Sequence, residues 1–200
     1  ILERPGARDS YDHRIVEQAE RRFREMSTDE RERLAYNIIV YTQGFINGNV
    51  GDSDDYKGYF RSLLSAYEGV DDATLRNNLA TFLNDILPVA DSQGIRMAIH
   101  PDDPPMPVLG LPRIVKNRSD LDWIFSANKS PANGLTFCSG SLSAVEQDIY
   151  SIAEDYTDRI AFLHLRNTHK AGDGVFHESG HLTGDVDMVR LISLLISSKN

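Results

Sequence analysis

Two different rhythms of apolar and polar residues divide the chain. Through residues 1–90 no stretch reads convincingly as a strand, whereas Tyr11–Met26, Thr28–Tyr41 and Ala73–Ala90 carry acidic, basic and apolar residues at helical spacing. Ser27-Thr-Asp-Glu30 sets a hydroxyl three residues before a glutamate, the pattern of a capping box. The Gly- and Asp-rich run Gly44–Gly58 reads as a loop. From Gly94 onward three short apolar runs, Ile95–His100, Leu135–Cys138 and Ile160–Leu165, fit buried strands. Amphipathic stretches follow each of them: Ser119–Asn128, Ala144–Tyr156 and Val186–Ser198. Strand and helix alternating at this period imply parallel strands joined by right-handed crossovers, an α/β architecture. No Gly-x-Gly-x-x-Gly turn or Walker-type loop follows any of the three, which disfavours dinucleotide and P-loop readings.

Composition narrows the class of partner. The chain has 200 residues, 40% of them hydrophobic, enough for a substantial core. A net charge of −9 disfavours nucleic acid, because phosphate binding needs clustered Lys and Arg. Without a run of about 18 apolar residues a membrane span is not expected. One cysteine, Cys138, excludes an internal disulfide and fits a reducing cytoplasm. The first residues, Ile1–Asp9, have no signal-peptide pattern, and Leu191–Asn200 stops on a helical pattern with no strand after it. Both ends are expected to be cut edges of a longer chain.

The chemistry gathers at the ends of the three predicted strands. His100, Cys138 and His164 each close one strand, about one βα unit apart. In barrels and doubly wound sheets these C-terminal ends converge on one face, where active sites are built. Imidazole and thiolate suit Zn, Fe or a similar divalent ion, and three protein ligands with one open position typify catalytic sites. Taken singly, each has a plainer role: a hydrogen-bonded strand-end histidine, or a small buried apolar residue.

The residues nearby are weighed in the same way. After His100 the loop is stiffened by Pro101, Pro104, Pro105, Pro107 and Pro112. Within it Asp102 and Asp103 can orient a metal-bound imidazole, meet sugar hydroxyls, or simply solvate a turn. Arg113 can fork onto a substrate carboxylate or onto one of these aspartates. If strand alternation continues past His164, Arg166 shares its face and reaches an anionic ligand, with Asn167 beside it; a salt bridge to a neighbouring strand end is the plainer reading. The lone Trp123, in a helical pattern, reads as core. His177-Glu-Ser-Gly-His181 matches the H-E-x-x-H zinc-protease pattern, which works only on a helix. Gly172, Gly174, Gly180 and Gly184 surround or interrupt it, each interior glycine costing a helix about 1 kcal/mol. A loop over the active site is expected from His177 to Gly184.

These motifs resemble the D-mannonate dehydratase family. Ile99-His-Pro-Asp-Asp-Pro-Pro105, Leu109-Gly-Leu-Pro-Arg-Ile-Val115, Ser130-Pro-Ala-Asn-Gly134, Cys138-Ser-Gly-Ser141, His164-Leu-Arg-Asn167, Phe176-His-Glu178 and His181-Leu-Thr-Gly-Asp-Val-Asp-Met188 look like its signatures, in its order. The resemblance implies a xylose-isomerase-like (β/α)8 TIM barrel, incomplete in these 200 residues. Residues 1–90 would be a mainly helical middle region, and 91–200 three consecutive βα units carrying the site. It implies dehydration of D-mannonate to 2-keto-3-deoxy-D-gluconate in hexuronate breakdown, with Fe2+ or Mn2+ held by His100, Cys138 and His164. The family's fourth ligand, an Asp in a Pro-Asp-His-Gly segment, is not in this sequence. Ser139 stands where Thr is usual. His177, His181 and Arg166 are candidates for proton transfer or substrate handling, and Asp102, Asp103, Arg113 and Asn167 for binding a small sugar acid. A homo-oligomer is left open, as are a metal-dependent sugar isomerase or epimerase on the same barrel and an inactive fragment or paralogue kept for binding or assembly.

Overall fold

The computed structural model describes residues 7–41, 55–146, 148–172 and 175–198. The chain divides into two compact units, residues 1–70 with 108–111, and residues 71–107 with 112–200.

In the first unit, a 3-10 turn (Ala7–Ser10) precedes α1 (His13–Glu25) and α2 (Thr28–Tyr36). The expected capping box is formed: Ser27 Oγ accepts the Glu30 N–H, and the Glu30 carboxylate accepts the Ser27 N–H at 2.8 Å. Beyond Tyr36 the winding widens to a π-helical turn, Asn37–Tyr41, which buries Ile39 and Val40. A third helix, α3 (Tyr56–Ser65), starts where the sequence reading placed the end of a loop. Asp55 is the reason, because its carboxylate accepts the Gly58 N–H at 2.9 Å and caps the first turn. Residues 44–54 of that loop lie outside the described residues. Phe60 and Leu64 of α3 pack with Ile39 and Val40 into a small core.

The second unit opens with α4 (Asp72–Ser92), capped by Asp71, which accepts the Thr74 N–H. Then follow β1 (Met97–Ile99), α5 (Arg118–Ala127), β2 (Asn133–Cys138), α6 (Ser139–Val145), α7 (Ile149–Asp155), β3 (Ile160–His164), β4 (Asn167–Gly172), β5 (Val175–Ser179) and α8 (Met188–Ser197). As the alternation predicts, β1, β2 and β3 form one parallel sheet in that order. The fold is thus mixed α/β. Every residue of β2 is buried, as a strand covered on both faces must be. At Gly134 a Cβ would lie 2.6 Å from the Met97 carbonyl oxygen, so only glycine lets β1 and β2 approach there. Leu87 of α4, Leu121 and Ile124 of α5, Leu135 and Phe137 of β2 and Leu191 of α8 meet in one core. Trp123 packs against that core, with the Arg76 guanidinium 5.0 Å from its ring centroid.

Two expectations about this unit change. The single helix predicted over Ala144–Tyr156 is two helices, α6 and α7. Asp148 accepts the N–H groups of Tyr150 and Ser151 and so starts a second helix. The segment from His177 is not a loop until Gly180, because β4 and β5 pair as an antiparallel hairpin with His169 opposite His177. Only then does the chain turn, Thr183 N–H donating to the Gly180 carbonyl at 3.0 Å. The zinc-protease helix is absent, as the glycines foretold. Among the described residues, no helix is long and apolar enough to cross a membrane.

Candidate metal centre

Three strand ends supply the site. Register pairs Cys138, the last residue of β2, with His164, the last residue of β3, and His100 directly follows β1. One ligand atom from each of His100, Cys138 and His164 lies within 4.8 Å of the others. His100 Nε2 is 3.0 Å from His164 Nδ1, and His100 Nδ1 is 2.6 Å from the Pro101 carbonyl oxygen. Donation from Nδ1 to that carbonyl puts the lone pair of His100 on Nε2, turned toward His164, and fixes the ring, as carbonyls do behind metal-bound imidazoles. Cys138 is fully buried while both histidines are exposed, so the donor set has a dry sulfur and a face open to solvent. The thiol also caps α6: Sγ accepts the Ser141 N–H at 3.4 Å and lies 3.3 Å from Ser141 Oγ. A cysteine followed three residues later by serine is the sequence signal for that cap. The set fits a borderline divalent ion, with two imidazoles and a thiolate in mutual reach and solvent access for a further ligand.

Arg166 reaches the same place by a different path from the one expected. Strand β3 ends at His164, and the Arg166 N–H bonds back to the His164 carbonyl at 3.0 Å, so alternation does not carry the side chain. The guanidinium instead lies over Gly140, where a Cβ would stand 2.4 Å from Nε. Nη1 donates to Asp103 at 2.5 Å and Nη2 to Ser141 Oγ at 3.5 Å, while Nε is buried with no partner. Burial disfavours its charge, but the hydrogen bond and charge of Asp103 outweigh that and raise its pKa.

The remaining candidates separate. Asp102 holds its own loop, accepting the Ile114 and Val115 N–H groups at 2.9 Å each, and Arg113 at 3.4 Å. Arg113 keeps a buried Nε without a partner. Asn167, 1% exposed, donates to the His181 and Val186 carbonyls and accepts from the Thr168 and Val186 N–H groups. That uses all four of its hydrogen-bonding positions on the fold. His177 stands beside His169, ring centroids 5.5 Å apart, and His181 sits exposed in the turn after β5. Among the described residues, the group placed for metal binding is His100, Cys138 and His164.

A family model described as D-mannonate dehydratase (UxuA) matches residues 8–199. The chain belongs to the D-mannonate dehydratase family. A mannonate dehydratase of Chromohalobacter salexigens is 43% identical over the whole chain, and mannonate dehydratase 2 of Agrobacterium fabrum is 40% identical over 98% of it. The crystal structure of mannonate dehydratase from Streptococcus suis serotype 2 superposes with a TM-score of 0.61 at 37% identity, covering 64% of this chain and 38% of that one. The chain spans about half the length of the curated D-mannonate dehydratase relatives it matches. Sequence reasoning offered a salt bridge from Arg166 to a neighbouring strand end, and Asp103 in the loop after β1 is that partner; it gave Gly140 and Ser141 no separate roles, because their meeting with Arg166 depends on contacts between separate βα units.

Proposed function

We propose that this chain carries the metal centre of a D-mannonate dehydratase, a hydro-lyase that converts D-mannonate to 2-keto-3-deoxy-D-gluconate in hexuronate breakdown. The observation behind this reading is the convergence of His100, Cys138 and His164 at successive parallel strand ends in a chain of this family. The three would hold Fe2+ or Mn2+, whose positive charge offsets the charge that builds on the substrate carboxylate as the proton α to it leaves. Asp103 keeps the Arg166 guanidinium charged and fixed, and we assign it to the anionic end of the substrate. Arg113, tied to Asp102, is assigned to the same end or to sugar oxygens. His181 is assigned to protonate the departing C3 hydroxyl, a role that suits a histidine near neutral pH. Asp102 and Asn167 act one step back, holding the loop after β1 and the segment after β3. The three βα units are read as consecutive parts of a (β/α)8 barrel, with residues 1–90 as its mainly helical middle region.

The test is release of the 2-keto-3-deoxy acid from D-mannonate by the intact protein, after chelation and again after Fe2+ or Mn2+ is returned. Activity should vanish in chelator and return with metal. Cys138→Ser should lower both bound metal and turnover, the latter by at least about 100-fold, more than is usual for losing an outer-shell partner. Full activity in chelator removes the metal reading. A product that keeps all its hydroxyls points instead to isomerisation or epimerisation.

A further inference from the structure

The β4–β5 hairpin holds a second set of imidazoles, apart from the three strand-end ligands. His169 and His177 are direct cross-strand partners, so their side chains leave the same face of the hairpin. Their ring centroids are 5.5 Å apart with planes at 72°. The strand-end pair, His100 and His164, has its centroids 5.3 Å apart at 52°. With metal–nitrogen bonds of about 2.0–2.1 Å and tetrahedral angles, two imidazoles on one ion bring their centroids to roughly 5 Å. The hairpin pair therefore has close to the ring spacing of two imidazoles that share one ion.

A third residue prepares one of the two rings. Asp185 Oδ1 lies 2.8 Å from His169 Nδ1, while Oδ2 accepts the Lys170 N–H at 2.7 Å. The Asp185 N–H in turn donates to the Thr168 carbonyl, so the carboxylate is fastened along β4 at two points. An acceptor held at Nδ1 selects the tautomer with its proton there and leaves the Nε2 lone pair free. This is the carboxylate–imidazole arrangement that stands behind many metal-bound histidines. The His169 side chain is 52% exposed and His177 is exposed, so an ion can approach from solvent.

We infer that His169 and His177 form a surface site for a borderline divalent cation such as Zn2+, oriented by Asp185 and separate from the strand-end centre. Two imidazoles are the protein ligands, and water completes the coordination. The inference does not rest on the dehydratase reading, because none of its three residues belongs to the strand-end set.

Zn2+ alone is the probe, titrated calorimetrically into the metal-free chain and its variants and followed by the ring nitrogen signals of His169 and His177. One Zn2+ equivalent should disappear in His177→Gln and in His169→Gln, yet persist in His100→Gln, which removes a strand-end ligand instead. Asp185→Asn should keep that equivalent but weaken it about tenfold or more, since an amide offers Nδ1 a donor and favours the wrong tautomer. In the wild-type chain both ring signals should move together on Zn2+ addition. Unchanged Zn2+ stoichiometry and affinity in His177→Gln overturns the site, as do ring signals that stay put in the wild type. Loss of every equivalent in His100→Gln overturns its independence from the strand-end centre.

Discussion

At the scale of single residues, what distinguishes this site is how much of its polar chemistry is spent on holding rather than contacting. Asn167 fastens the segment after β3 to the turn after β5 with all four of its hydrogen-bonding positions. Asn167→Ala would leave the buried Val186 N–H and two carbonyls without partners, and should cost about 2–4 kcal/mol in urea unfolding. Gly140 separates stability from function in the opposite way. In Gly140→Ala the helix gains about 1 kcal/mol of propensity, but the new Cβ meets Arg166 at Nε, Cβ and Cγ. The thermal midpoint should stay close to that of the wild type while the intact protein loses the proposed dehydratase turnover, because Arg166 is pushed off Asp103. A variant of equal stability and full turnover would show that Arg166 does not need its place over Gly140.

At the scale of elements, β2 carries the second unit. It is buried along its length, and Phe137 within it is fully enclosed between neighbouring layers. Phe137→Ala should destabilise by about 3–5 kcal/mol, measured from the denaturant midpoint, and should loosen Cys138 next to it. The hairpin answers instead to pH. The Lys170 N–H, and then His169, hold the Asp185 carboxyl below its ordinary value of 3.8. A depressed folded pKa means the contribution is complete above 3.8 and is lost as pH falls through the lower folded value. The Lys170 amide should thus stay protected from exchange down to pH 3.8 and open only below it. Opening that tracks histidine titration would assign the fastening to His169 rather than to the carboxylate.

At the scale of the whole chain, the two units have unequal cores. The first rests on Ile39, Val40, Phe60 and Leu64, whereas the second gathers side chains from α4, α5, the parallel sheet and α8 around Leu121, Leu135 and Phe137. Buried apolar area is the main source of cooperative stability, so α2 and α3 should exchange their amides faster than β2 at low denaturant. Hydrogen exchange read by mass spectrometry checks this; equal protection in both units would mean that they open together.

Much of this was legible in the sequence because it depends on neighbours along the chain. The apolar runs Ile95–His100, Leu135–Cys138 and Ile160–Leu165, the capping box at Ser27 and the glycines around His177 act within a few residues of each other, and parallel strands joined by crossovers must end on one face. That logic predicted the meeting of His100, Cys138 and His164 from their positions alone. It did not predict α3, whose start is decided by Asp55, or the break between α6 and α7 at Asp148, where one carboxylate outweighs a continuous helical pattern. The hairpin escaped it because β4 and β5 show no sustained alternation of apolar and polar residues and only pairing defines them. Tertiary structure alone decided that Arg166 reaches Asp103 across Gly140, that Asn167 faces inward, and that His177 meets His169. Each of these joins residues from separate elements, and the distances between such elements are settled by packing, not by the order of residues along the chain.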